Sequence, residues 1–426
     1  MSTTNVDIGT DVESVESFRE RARTWLAANF EPDRGGTGLL RAGESEEAEL
    51  AEITHARSLQ RKLFDGGFAG VCFPKEYGGL GLTPAHQRAL NEETKGYAIP
   101  RILQVPTFVP CAAVLLEFGT EEQKLRHLPA IIKGEEIWMQ FLSEPSGGSD
   151  VAGALTTAVR DGDEWIVNGS KIWTTGAWFS DYGLCLLRTN WDVPKHRGLS
   201  VFIIKIHQPG IELHRIEMIN GSREFCQEFM TDLRVPDSDR VGDVDQGWTV
   251  GTRWMFHEKN AMGGGSPYVT GSMYDSRESE SGDAMSRLVV ATGRADDPRA
   301  RDLVGEARML RMARAALSER ISAGMSSGAF PENGAAIARL ITAVVAQRNV
   351  TIALELAGPA AAATLVDDPW AEQGFDFLER QTSGIGGGTT EMARNNISER
   401  VLGMPREMTH DKNLPYRDVP KGPPAS

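Results

Sequence analysis

Three stretches of this chain carry residue types that chemistry uses at spacings that chemistry requires. The first is Gln140-Phe141-Leu142-Ser143-Glu144-Pro145-Ser146-Gly147-Gly148-Ser149-Asp150. Its Pro, Ser and Gly suit a loop between strands. Its glycines also let a ligand approach the backbone, while Ser143 and Ser149 offer hydroxyls. The second, Ile172-Trp173-Thr174-Thr175-Gly176, puts Trp173 and Thr175 on one face of a strand by simple alternation, although a lone tryptophan there reads equally well as core. The third is Gly384-Ile385-Gly386-Gly387-Gly388-Thr389-Thr390-Glu391, a glycine-rich loop opening a helix. Free N–H groups and the positive end of a helix dipole make that an anion-binding geometry. It is neither a dinucleotide fingerprint nor a Walker loop.

These segments need a scaffold, and 426 residues give a prior of about three domains. From Val15 to Glu135 the pattern is helical, with Phe18, Ala22, Trp25 and Leu26 on one face. Gly66-Gly67 and Phe73 to Gly81 interrupt it, helix resumes after Thr83-Pro84, and Thr120 to Gln123 reads as a capping box. From Trp138 to Gly242 the period becomes that of strands. Asn168-Gly169 there predicts a tight type I′ turn between Trp165-Ile166-Val167 and Ser170 to Thr175. Helical pattern returns at Gln246 and continues to Leu402, broken by a polar loop near Ser276 to Asp283, and the tail from Thr409 reads as an extended or frayed arm. The expected fold class is α+β multidomain. It comprises an N-terminal α-helical domain (1–136), a middle β-barrel or sandwich domain (137–244) and a C-terminal α-helical domain with its tail (245–426).

Forty-five basic against 59 acidic side chains leave a net charge of −14, which excludes nucleic acid and an anionic membrane as main partners. The four cysteines form no CxxC pair and the histidines no HExxH pair, so neither a disulfide framework nor a metal centre is expected. The first residues are polar and no uninterrupted apolar run of about 18 residues occurs, so the expected setting is cytoplasmic.

In this order and this α–β–α frame, the motifs resemble the acyl-CoA dehydrogenase family over nearly the whole chain. The residues that carry the resemblance are Phe73 to Gly81, Ser143-Glu144-Pro145 with Gly148-Ser149-Asp150, Gly169 to Thr175, Val235-Pro236 leading to Gly247-Trp248, and Gly386 to Gly403. The resemblance implies a C-terminal four-helix bundle and FAD between the β domain and that bundle, with an acyl-CoA thioester against the flavin. It implies flavin contacts from Gln140, Leu142, Ser143, Gly148, Ser149, Trp173, Thr175, Thr389 and Glu391. Thioester contacts are implied for Ser149, Lys259, Gly386 and Gly388, and Arg380 stands where it would shape the glycine loop.

Several positions depart from the family pattern. Many members carry the catalytic glutamate where this chain has Gly387, while a second branch carries it on the helix after the β domain. On that helix Val250, Trp254, Glu258 and Met262 are each four apart, so Glu258 projects from an apolar stripe. Desolvation there raises a carboxyl pKa toward neutrality and suits general-base work; the competing reading is a Glu paired with Arg or Lys at the core edge. Glu391 stands where glutamine is more usual and Lys259 where arginine is more usual. The arginine and glutamine-glycine segments that reach a neighbouring subunit's cofactor are absent or reduced.

The expected reaction is α,β-dehydrogenation in fatty acid or lipid metabolism of the β-oxidation type. Glu258 takes the α-proton, a hydride passes to flavin N5, and the Gly387 N–H remains in the oxyanion hole. Three consecutive glycines vacate volume, which favours a bulky, branched or ring-bearing acyl group. Expected partners are an electron-transfer flavoprotein or similar acceptor and further subunits, as a homo-oligomeric dimer or tetramer or a hetero-oligomer. The alternatives are a catalytically impaired partner subunit, a flavin oxidase or monooxygenase on the same fold, and a CoA-ester-binding scaffold.

Overall fold

The computed structural model describes residues 12–32, 45–262, 266–271, 284–363, 370–409 and 411–420. The loop expected near Ser276 to Asp283 lies outside them.

The N-terminal unit is helical for local reasons. Ser14 caps α1 (Val15–Asn29) by accepting from the Ser17 N–H, and the stripe Phe18, Ala22 and Leu26 is buried. α2 (Glu46–Asp65) and α3 (Pro84–Glu93) pack the same unit, and α4 (Glu121–Lys133) opens on the expected Thr120/Gln123 capping box. In the intervening loop a side chain at Gly79 would sit 2.2 Å from the Phe73 carbonyl oxygen, so only glycine fits.

Residues 101–118 have the length and hydropathy of a membrane span, as does Ala335–Ala357. The first is broken into Arg101–Gln104, Thr107–Ala112 and Ala113–Phe118, with Pro106 and Pro110 preventing a continuous ladder. It is core: Thr107 Oγ1 both donates to the Trp138 carbonyl (3.1 Å) and accepts from the Trp138 N–H (3.0 Å).

The middle unit is one eight-stranded sheet: β1 (Trp138–Phe141), β2 (Thr157–Asp161), β3 (Glu164–Thr175), β4 (Tyr182–Arg188), β5 (Leu199–Lys205), β6 (Ile211–Arg215), β7 (Phe225–Pro236) and β8 (Arg240–Val241). The order is β6-β7-β3-β2-β4-β5-β8, with β1 parallel to β4. Trp165 on β3 meets Phe202 on β5 edge-on at 5.4 Å although those strands are not neighbours, so the sheet folds over itself around an apolar interior.

Asn168-Gly169 is not the hairpin turn. β3 runs straight through it, and the turn lies at Gly162-Asp163, between Asp161 and Glu164. Gly169 instead marks a bulge against β7, where a Cβ would approach Thr156 to 2.7 Å. Asn-Gly serves a bulge as well as a turn, because both need a residue free of Cβ constraints. A second irregularity falls between Ile172 and Thr174, with Trp173 at φ +65°.

One buried ion pair ties this unit together. Lys171 on β3 donates to Glu144 Oε1 (2.8 Å) and to the carbonyls of Leu186 (2.7 Å) and Leu142 (3.2 Å). Glu144 accepts in turn from the N–H groups of Leu155 (2.6 Å) and Thr156 (3.0 Å). Burial pushes the Glu144 carboxyl up, but the Lys171 ammonium and the two backbone donors outweigh it and hold the net shift below the ordinary range.

The C-terminal unit comprises α5 (Gly247–Met262), a helix over 284–291, α6 (Pro298–Ser326), α7 (Ala335–Ala357), α8 (Ala371–Glu379) and α9 (Thr390–Asn396). α5 packs against 113–118 and β5 as part of the N-terminal and middle core. The later helices share a separate core of Leu288, Leu303, Ile352 and Leu356. The tail is anchored on the middle unit, with the Tyr416 N–H donating to the Val193 carbonyl at 2.9 Å.

Removing one partner of a fully satisfied buried pair strands the other charge. Lys171→Met is therefore expected to cost about 3–5 kcal/mol, and the double variant Lys171→Met/Glu144→Leu to recover much of that loss. Denaturant unfolding of both variants checks this, and a single variant within about 1 kcal/mol of wild type contradicts it.

Candidate active site

α5 places the candidate base. Val250 and Trp254 are buried on its inner stripe, and Glu258, one turn further, is partly open at the surface with its carboxyl end enclosed. The Trp254 indole Nε1 donates to Gln140 Oε1 (2.7 Å), and Gln140 Nε2 donates to Glu258 Oε1 (3.1 Å). This Trp–Gln–Glu chain fixes the orientation of the amide, because the indole can only donate and so must face the amide oxygen. Burial raises the Glu258 carboxyl above its ordinary value, while the Gln140 hydrogen bond and the exposed Lys259 ammonium oppose that shift.

A second cluster stands beside it. Arg253 holds Glu117 through two nitrogens (2.8 and 2.6 Å), and His257 Nε2 lies 2.7 Å from Glu117 Oε1. Burial lowers the His257 pKa, against the raising influence of Glu117. Glu117 is thus taken up by Arg253 and His257, while the polar partner of Glu258 is Gln140.

The residues expected at the flavin gather along β1 and β3. The Ile172 N–H donates to the Ser143 carbonyl at 3.0 Å, joining the end of β1 to the strand that carries Trp173 and Thr175. Trp173 is not a core residue. It is 52% exposed, meeting Phe225 edge-on at 5.8 Å. Trp173 and Thr175 share the outward side through the bulge at Trp173, since Lys171 and Thr174 face inward and plain alternation would put Trp173 and Lys171 together. Gly148 lies so close to Ser143 that a Cβ would stand 3.3 Å from its Oγ.

An open indole face beside hydroxyls and backbone polar groups fits a flat ring with a polar edge. Leu142, Ser143, Trp173 and Thr175 therefore suit an isoalloxazine. Ser149 lies in the same loop, seven residues after Leu142.

The glycine loop belongs to the C-terminal unit. Gly387 and Gly388 have φ of +69° and +96°, and Arg339 Nη2 donates to the Gly386 carbonyl at 2.6 Å. Thr389 caps α9 by accepting from the Met392 N–H (3.1 Å), and the exposed Glu391 accepts from Thr390 (3.0 Å). Arg380 lies over the Phe377 ring at 3.6 Å. Among the described residues, the hydrogen bonds of Gly386 to Gly388, Thr389 and Glu391 stay within this unit, whereas Glu258 and Gln140 join α5 to the sheet.

A buried acid that the sequence did not single out stands behind the strand that carries Trp173 and Thr175. Glu228 on β7 faces inward and accepts from Thr174 Oγ1 (3.0 Å), while its Oε1 has no hydrogen-bond partner. Burial raises its carboxyl to about 8, against the Thr174 hydrogen bond and the nearby Lys171. Alternation along β7, with Cys226 and Met230 also buried, was the available signal for its inward position.

Three family descriptions match the chain: the N-terminal domain of acyl-CoA dehydrogenase over residues 13–135, the middle domain over 140–232, and the C-terminal domain over 284–402. The chain belongs to the acyl-CoA dehydrogenase family. That membership makes it an oxidoreductase with FAD as its cofactor. It is 32% identical over 403 residues to acyl-CoA dehydrogenase IpdE1 of Mycobacterium tuberculosis, covering 93% of this chain and 99% of that one. Among solved structures, the Tcur3481-Tcur3483 steroid ACAD shares the fold with a TM-score of 0.73 at 24% identity, over 93% of this chain and 99% of that one. The ChsE4-ChsE5 complex from Mycobacterium tuberculosis shares it with a TM-score of 0.69 at 24% identity, over 95% and 100%.

Glu228 sets a pH dependence. Because its folded pKa is raised to about 8, the stability it contributes is fully present below the ordinary carboxylate range and is lost as pH rises through about 8. Glu228→Gln is therefore expected to gain stability relative to wild type between about pH 5 and pH 9. Urea unfolding at both pH values measures this, and a difference independent of pH contradicts it.

Proposed function

We propose that this chain carries out α,β-dehydrogenation of an acyl-CoA thioester with Glu258 as the base. The observation that carries the reading is the enclosed Glu258 carboxyl at the end of the Trp254–Gln140 hydrogen-bond chain, raised by burial. FAD, when bound, supplies the acceptor for the hydride that leaves the thioester β-carbon. Glu258 takes the α-proton onto a carboxylate oxygen as the carbon–carbon double bond forms. Gln140 keeps that oxygen pair oriented, and its N–H stabilises the ionised form that must be present before each turnover. Leu142, Ser143, Trp173 and Thr175 orient the cofactor edge, with Gly148 and Ser149 in the adjoining loop. Lys259 and Ser149 serve the carrier side of the thioester.

Gly387 in this reading contributes only its backbone N–H to the thioester oxygen, with Thr389 and Glu391 toward the cofactor. The absence of side chains at Gly386 to Gly388 leaves room for a bulky, branched or ring-bearing acyl group. The likeness to a steroid ACAD supports that class. An electron-transfer flavoprotein or similar carrier is the fitting acceptor. A second reading, assembly with a different chain that completes the site, is favoured by the glycine loop's hydrogen bonds, which stay among the later C-terminal helices, and by the two-component likenesses.

Anaerobic mixing of the flavin-loaded protein with a panel of acyl-CoAs tests the proposal. Ring-bearing or branched thioesters are expected to bleach the flavin fastest, and a profile peaking at butyryl-CoA contradicts the acyl class. Glu258→Gln is expected to slow bleaching by about 10²–10⁴-fold with flavin content unchanged. An unchanged rate removes Glu258 as the base.

The wild-type rate rises with pH as the Glu258 carboxyl, raised by burial, loses its proton. Gln140→Leu deletes a donor to the carboxylate, so the midpoint of that profile is expected to move to higher pH. A midpoint that stays fixed or falls contradicts the arrangement.

A further inference from the structure

The C-terminal tail, which the family reading leaves without a role, builds one side of a cavity at the opposite end of α5 from Glu258. The cavity, of about 280 Å³, is lined by Ser146, Gly147, Asp150 and Lys195 from the middle unit and by Asp411 and Tyr416 from the tail. Its walls are fastened. The Tyr416 hydroxyl donates to the Gly153 carbonyl (2.6 Å), and its ring stacks on Trp191 (5.4 Å between centroids, 7° between planes). The Arg188 guanidinium lies over the Tyr416 ring, 4.3 Å from its centroid. Arg188 is itself fully buried, donating to the carbonyls of Ala152 (2.5 Å), Lys195 (2.6 Å) and Ala154 (3.2 Å). The Arg417 N–H donates to the Trp191 carbonyl (3.1 Å). A tail that merely frayed would not bring a tyrosine ring onto a buried guanidinium.

The position of the cavity gives it a ligand. Lys195, which pairs with Asp150 at 2.7 Å, begins the basic run Lys195-His196-Arg197, and the His196 ring meets Trp248 edge-on at 4.7 Å. Trp248 stands at the start of α5 and Glu258 ten residues further on, a separation of about 15 Å along the helix axis. A CoA thioester is a molecule of that kind of length: its reacting carbons sit at one end, and amides, hydroxyls and phosphates follow along the pantetheine arm. With its α-carbon at Glu258 and its arm along α5, the polar carrier reaches the loop that carries Lys195 and His196. Beside Leu155, Val419 and Pro420, the lining offers charged and hydroxyl groups that suit the amides, hydroxyls and phosphates of the carrier.

We propose that residues 411–420, anchored by Tyr416, form a wall of the carrier-binding site and set affinity for the CoA half of the thioester rather than for the acyl half. The proposal rests on the thioester reading above and adds a positioning role for a segment outside the matched family domains, which end at residue 402.

The test compares one acyl group on two carriers, CoA and N-acetylcysteamine, the latter lacking the nucleotide and most of the pantetheine arm. Binding to the flavin-loaded full-length protein is followed by perturbation of the flavin spectrum, for wild type, Tyr416→Ala and a chain ending at residue 410. Both variants are expected to weaken the CoA ester by about tenfold or more, equivalent to about 1.4 kcal/mol, and to leave the N-acetylcysteamine ester and flavin content unchanged. The point variant guards against misfolding of the truncated one. Equal weakening of both esters, or no weakening of either, overturns the proposal while leaving the thioester reading intact. A wild-type protein that binds neither ester overturns both.

Discussion

The buried contact between Lys171 and Glu144 is the constraint on which the rest of the site depends. An ammonium has three protons to place, and here they go to one carboxylate oxygen and one backbone carbonyl in the loop after β1 and to a backbone carbonyl of β4. The carboxylate returns two hydrogen bonds to the chain entering β2. Four segments are thus held at one point. The two residues that follow Lys171 are Ile172, whose N–H reaches Ser143, and Trp173, which turns outward at positive φ. Without a fixed Lys171, neither the loop after β1 nor the open indole face has a defined place relative to the other.

The proposed base is positioned by a different logic. Glu258 belongs to the apolar stripe of α5, and burial alone would favour its protonated form. Gln140 opposes this by offering an N–H to the carboxylate, and Trp254 ensures that the amide nitrogen, not the oxygen, faces Glu258. A carboxyl that is desolvated yet given one neutral donor remains able to ionise without being neutralised by a cation. An arginine in the place of Gln140 would lock the carboxylate and reduce its basicity. Arg253 is one turn before His257 on the same helix, but its guanidinium is taken up by Glu117.

The helical stripes, the Thr120 capping box and the α–β–α order were legible in the sequence because each depends on local periodicity or capping chemistry. The site was legible in part. The four-residue spacing along α5 placed Glu258 on an apolar stripe and the family resemblance singled it out, but nothing local indicated that Gln140, 118 positions earlier, would be its partner. Asn168-Gly169 misled for a physical reason: the conformational freedom that permits a turn also permits a bulge, and pairing with β7 decides between them. Trp173 and Thr175 come to share a face through a bulge, where simple alternation gave the right side for an incomplete reason. Glu228 was passed over because a lone acid in a strand reads as solvent-facing unless the alternation with Cys226 and Met230 is followed through.

The net charge of −14 and the phosphate-bearing ligands of the family are reconciled by distance. Exposed charges farther apart than about 10 Å are largely screened at 0.1 M salt, so the surface excess of carboxylates has little reach into a covered pocket. In the proposed site the local set matters, from backbone and a few cations: the N–H groups of the glycine loop, Lys259 beside the proposed base, and Lys195 to Arg197 at the other end of α5. The glycine loop belongs to the same economy of means. Gly387 and Gly388 sit at positive φ, where a residue with a Cβ costs about 1–2 kcal/mol, so a glutamate at Gly387 would strain this backbone. A chain whose proposed base stands on α5 avoids that strain.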